Sequence, residues 1–85
     1  MTREIPLNDP IAVTATMDKQ GFITPQNLIR QGKHHTVTGV GRQWESDEGR
    51  HILVETAGSD RFEILLSRAD LRWYLRRAWL QEITV

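Results

Sequence analysis

The sequence predicts an all-β fold, a small antiparallel meander of five to six strands forming an SH3-like barrel or a strongly bent sheet. Three observations carry this. Short β-rich apolar runs recur along the chain, separated by turn-forming clusters at residues 18–21, 31–33, 45–49 and 58–60. Such tight spacing favours sequential pairing of neighbouring strands. Several runs are apolar on both faces, as expected where a sheet closes on itself or is covered.

The first ten residues contain Pro6, Pro10 and an Asn-Asp pair without periodicity. Proline lacks the amide hydrogen that a central strand requires, so residues 1–10 read as a flexible tail of extended character. The single domain then spans residues 11–85. Ile11, Val13, Ala15 and Met17 alternate with smaller or polar residues, the period of two of a half-buried strand. After the turn ending at Gly21, Phe22 and Ile23 restart the apolar pattern. Pro25 holds Thr24 extended, and Leu28 and Ile29 fit a short strand or a single helical turn.

Residues 37–57 form the organising hairpin. Val37 and Val40 cannot share a face under strict alternation, so a bulge near Gly39, or alternatively at Gly41, is expected. A single bulge at Gly39 brings Trp44 into line with Val40. In the returning arm, Ile52 and Val54 face one way and Leu53 the other. Residues 62–66 supply the next strand. The segment from residue 68 is ambiguous. Ser67 and Asp70 resemble a capping box, and Leu71, Tyr74, Leu75, Ala78 and Trp79 recur at helical spacing. Local signals therefore lean to a C-terminal helix and an α+β fold, although Trp73, Leu75 and Trp79 also alternate as in a strand.

Composition narrows the function classes. At 85 residues the chain buries only roughly 60–65% of its unfolded surface. No cysteine is present, so disulfides and zinc-thiolate sites are excluded, in keeping with a cytoplasmic setting. No run approaches the ~18–20 apolar residues of a membrane helix, and no membrane partner is expected. Eleven basic and eleven acidic residues cancel, yet Arg61, Arg68, Arg72, Arg76 and Arg77 face only Glu63 and Asp70 in the same span.

No catalytic signature stands out, and the chain reads as a non-enzymatic binding module without cofactor or metal. His34 and His35 are adjacent and so point to opposite faces of a strand, leaving at most one to join His51 at a metal. Glu45, Asp47 and Glu48 belong to a turn, with no nucleophile recognised nearby. Gly39-Val40-Gly41 is only a fragment of a dinucleotide fingerprint. The strongest constellation is Arg42, Trp44, Arg50, Arg72, Tyr74, Arg76, Arg77 and Trp79, with Trp73 beside them. Assembled on neighbouring strands, such residues stack bases and contact phosphates of single-stranded nucleic acid. The bland alternative packs the tryptophans in the core and pairs the arginines with Glu45, Glu55 and Glu63. A protein-interaction adaptor or homodimer, joined through an exposed edge strand and Trp79-Leu80, is the competing function.

Gly21-Phe22-Ile23-Thr24-Pro25, Gly41-Arg42-Gln43-Trp44, Gly49-Arg50-His51-Ile52-Leu53-Val54, Phe62-Glu63-Ile64-Leu65 and Trp73-Tyr74-Leu75-Arg76-Arg77 follow one another along the chain. This pattern resembles a family of small uncharacterised bacterial all-β domains, some of them near or fused to translesion DNA polymerases. The resemblance implies a strand for residues 72–79 and a partner that is nucleic acid or a DNA-processing protein. The chain departs from the family pattern at Leu28 and Arg30, where an aromatic often sits.

Overall fold

A computed structural model describes residues 2–81. Six antiparallel strands close a barrel: β1 (Thr2–Met17), β2 (Ile23–Arg30), β3 (Lys33–Ser46), β4 (Gly49–Thr56), β5 (Arg61–Ser67) and β6 (Trp73–Gln81). The meander order and the all-β class are as the sequence predicts. No helix occurs among the described residues, and none is long and apolar enough to cross a membrane.

The helical alternative for the C-terminal segment falls, and the reason is a bulge. Glu63 pairs with Arg77 but Ile64 pairs with Leu75, leaving Arg76 as an extra residue in β6. That insertion lets Leu75 and Ala78, three positions apart, both face inward, where they are 0% and 1% exposed. A helix-like spacing is thus produced by a strand.

The same device acts twice in β3. Its register against β4 shifts between Val37 and Gly39 and again between Val40 and Gln43. Val37, Val40 and Gln43 consequently share the inner face. The expected bulge near Gly39 is present, but the second one reverses the expected alignment of Trp44 with Val40. Trp44 pairs with His51 and lies on the outer face.

The N-terminal expectation also needs correction. Residues 2–10 are not a tail but the first half of β1, with Thr2 to Pro6 and Asp9 to Ile11 paired to β6. From Ala12 onward β1 pairs instead with β2. The strand therefore has one partner at a time, and both Pro6 and Pro10 fall where no second neighbour needs their missing amide.

Phe62, Leu28, Ile52, Ile64 and Leu75 are the largest fully buried apolar side chains, joined by Ile23, Val54 and Ala78. Full burial of each large one contributes about 1.5–3 kcal/mol. Trp73 packs against this cluster from β6, so it is the tryptophan that serves the core. Polar closures seal the ends. Arg30 holds Asp9 at 2.8 Å at one end. At the other, Gln43 donates to the Ile23 carbonyl oxygen. Among the described residues, no buried side-chain nitrogen or oxygen lacks a hydrogen-bond partner.

Candidate functional site

The register places three rows of side chains across the outside of β3 to β6. One row runs Trp44, His51, Leu65, Tyr74; a second runs Leu53, Glu63, Arg77; a third runs Gly39, Glu55, Arg61, Trp79. Arg42, at the second β3 bulge, lies over the Trp44 ring with its guanidinium carbon 5.1 Å from the centroid. Outer positions of a small barrel are usually wet, yet His51, Glu63 and Leu65 are 6%, 8% and 3% exposed. This face therefore carries a second, polar cluster outside the barrel core.

That cluster is a hydrogen-bonded line. Ser46 Oγ lies 2.7 Å from His51 Nε2, and His51 Nδ1 lies 2.9 Å from Glu63 Oε2. An ionised carboxylate only accepts, so the network assigns the imidazole proton to Nδ1 and leaves Nε2 of the neutral ring to accept from the Ser46 hydroxyl. Ser46 Oγ in turn accepts from the Glu48 amide. Trp44 stacks flat on the His51 ring. Glu63 Oε1 faces Arg77 at 3.9 Å, and Arg77 also reaches Glu4 at 3.7 Å. Ser46 belongs to the β3 arm and not to the turn expected at residues 45–49, and this sets its hydroxyl against the His51 imidazole.

Beside this line lies a groove of about 470 Å³ lined by Gly39, Gly41, Leu53, Glu55, Arg61 and Trp79, among others. It exists because two glycines form part of its floor. A methyl group at Gly39 or Gly41 would meet only Leu53 or Glu55, at 3.6 Å or more. A smaller polar pocket of about 270 Å³ adjoins the β3–β4 turn, with Asp47, Glu48, Tyr74 and Arg76 in its wall.

The eight residues singled out from sequence are therefore divided. Arg42, Trp44, Tyr74, Arg76, Arg77 and Trp79 come together on or beside this outer face. Arg50 does not. It closes a barrel end, donating to Glu45 at 2.5 Å and to the Gly21 carbonyl and Gln43 at 3.1 Å each. Arg72 lies exposed in the loop before β6, its amide held by Asp70. Most of the arginines are already matched: Arg76 with Glu48, Arg77 with Glu4 and Glu63, Arg68 with Glu45. Among the described residues, Arg61 in the groove wall and Arg42 over the Trp44 ring have no carboxylate within ion-pair distance. Arg61 was not among the residues singled out, because only its alignment with Trp79 brings it to the groove.

The pairing has electrostatic consequences. The Arg50 guanidinium holds the Glu45 carboxyl below its ordinary range, and Arg76 does the same for Glu48. Asp70 is lowered chiefly by the hydrogen bond from the Tyr74 hydroxyl, which is itself raised by that carboxylate. No group of three or more metal-ligating side chains is assembled among the described residues. His34 and His35 lie on β3 opposite Ile29 and Leu28, away from His51. The edge-strand route to a partner is also altered, since β6 is paired on both sides, by β5 and by β1.

No family model, no curated protein and no solved structure matches this chain.

Proposed function

We propose that the protein is a binding module whose outer β3–β6 face takes single-stranded nucleic acid, acting beside a DNA-processing enzyme. The observation that supports this most is the groove between Leu53 and Trp79, with Arg42 and Arg61 free of carboxylate partners among the described residues. A base stacks on Trp79 while the two guanidiniums meet flanking phosphates. Arg76 and Arg77 stay with their carboxylates and contribute little.

Fluorescence anisotropy with a labelled oligonucleotide at ~50 mM salt tests the reading. Two neutralised phosphates give a shallow slope of log K against log salt, about −1.4 for a single strand. Trp79→Ala lowers affinity roughly 5–150-fold, the worth of one stacked base at about 1–3 kcal/mol. Arg42→Ala with Arg61→Ala removes most of the salt dependence, whereas Arg76→Ala with Arg77→Ala leaves it nearly unchanged. Absence of binding at that salt concentration ends the nucleic-acid reading.

A second reading, docking of a protein partner or a second copy, is favoured by a different part of the surface. Met17, Phe22 and Leu71 are 62%, 50% and 76% exposed, and Met17 and Leu71 line one recess at the barrel end closed by Arg50. Sedimentation velocity over a wide concentration range separates a self-associating protein from a monomer.

A further inference from the structure

We propose that Ser46 is a reactive nucleophile, with His51 as its general base and Glu63 as the residue that positions the base, and that it takes acyl groups from small activated esters. The inference stands on the Ser46–His51–Glu63 geometry and does not depend on the groove. The hydroxyl and imidazole are within hydrogen-bond reach at 2.7 Å, and the other ring nitrogen is fixed by a carboxylate at 2.9 Å. This is the arrangement by which a weak hydroxyl nucleophile is activated: a base at reaction distance, oriented by a third group. It is recognised by geometry and role, whatever the fold or chain order.

Three further features suit it to chemistry. The base and its carboxylate are buried, while Ser46 is half-buried. Trp44, stacked 5.0 Å from the imidazole with planes 4° apart, prevents the ring from tipping out of line. The Glu48 amide donates to Ser46 Oγ at 3.1 Å, which favours the oxygen as it gains negative character. The residues following Ser46, Asp47 and Glu48, continue into the wall of the polar pocket that also contains Tyr74 and Arg76. The pocket adjoins Ser46 through these two residues, and Arg76 in its wall stays paired with Glu48.

The step balances without any further cofactor. Ser46 Oγ bonds to the ester carbonyl carbon as its proton passes to His51 Nε2. Collapse of the tetrahedral adduct breaks the bond to the leaving alcohol, which receives that proton. Water, deprotonated by the same imidazole, then displaces the acyl group as a carboxylic acid and restores Ser46.

A fluorophosphonate probe and p-nitrophenyl acetate, each applied to the intact chain and followed by peptide mapping, test this. The phosphonate forms a Ser46 O–P bond with loss of HF; the ester gives an acetyl adduct that water releases. Ser59, exposed on the β4–β5 turn, is the internal control. The expected result is modification of Ser46 about 100-fold faster than Ser59. Ser46→Ala abolishes it and His51→Gln slows it by a similar factor. Glu63→Gln slows it, and Glu63→Asp restores part of the rate. A far-downfield imidazole N–H proton resonance, present in the wild type, disappears in Glu63→Gln while the circular dichroism of the barrel is kept. No adduct on Ser46, equal labelling of Ser46 and Ser59, or an unchanged rate in a folded His51→Gln variant overturns the proposal. Labelling of the wild type is decisive even where a His51 variant fails to fold.

Discussion

Trp44 and His51, partners across the β3–β4 hairpin, stack with ring centroids 5.0 Å apart and planes 4° from parallel. The contact is made possible by two bulges in β3, which turn Trp44 to the outside after Val37, Val40 and Gln43 have faced inward. One fewer bulge would point Trp44 at the core and leave the imidazole uncovered. The outer polar line and the inner apolar core are thus set by the same two irregularities.

Gly49 closes the hairpin that presents Ser46. Its φ is +143°, and a β-carbon there would overlap the Leu66 carbonyl oxygen and lie 2.9 Å from the Arg68 amide nitrogen, both backbone atoms that cannot swing aside. Gly49→Ala is expected to destabilise the protein by about 3 kcal/mol or more, measured by chemical denaturation. A loss below about 1 kcal/mol would show that β4 and β5 separate at this point more easily than their pairing implies.

Leu71 presents the opposite case. It is a leucine at φ +59°, and 76% of it is exposed. A left-handed backbone costs an ordinary L-residue roughly 1–2 kcal/mol, and asparagine tolerates it better. Leu71→Asn is therefore expected to raise stability by up to about 1 kcal/mol. A fall in the denaturation midpoint would instead indicate that the leucine side chain is packed at the barrel end.

The groove and the fold separate at Gly41. A β-carbon at this position meets Leu53 at ordinary contact distance, so the strand accepts it, and larger branches project into the groove. Gly41→Val should leave the melting temperature within a few degrees and abolish ligand binding to the outer face. Retained binding in that variant would move the ligand elsewhere.

Stability should form a plateau bounded on both sides. Burial, then the Lys33 charge, lowers the His35 imidazole from its ordinary 6.5. Its folded form prefers to stay neutral, so stability is full above 6.5 and declines as pH falls through the lowered value. Glu45 and Glu48, lowered from 4.5, and Asp70, lowered from 3.8, add a second decline in acid, below those values. Tyr74 is raised from 10.0, so its hydrogen bond to Asp70 is lost as pH rises above 10. Denaturation midpoints across pH check this. His35→Gln should flatten the slope just below pH 6.5 and leave the alkaline limb in place.

The hairpin of residues 37–57 was readable because its arms, turn and glycines each point to the same structure. Ile52, Leu53 and Val54 alternate as their sequence says, and β3 could be seen to need a bulge from Val37 and Val40 alone. A second bulge could not be counted that way, since Gln43 carries no apolar mark of the inner face. In β6 the inserted Arg76 gave Leu75 and Ala78 a helical spacing, so periodicity alone pointed the wrong way. The prolines misled in β1, where the rule about missing amides holds only for strands paired on both sides. The Ser46–His51–Glu63 line spans three strands and required their register. One signal was present: a tight turn confined to Asp47 and Glu48 would have put Ser46 on the same face as His51.

The exchange of partners along β1 has a consequence for the order of events in folding. Its second half can zip onto β2 as soon as the first turn forms, but its first half has nothing to pair with until β6 has been made and brought round. The ring is completed by its two most sequence-distant strands, and loop-closure entropy must be overcome before that pairing is rewarded. Refolding should therefore show early formation of the local hairpins and a slower final step. In that step Trp73, opposite Ile11 and against the core, reports the moment at which β6 docks.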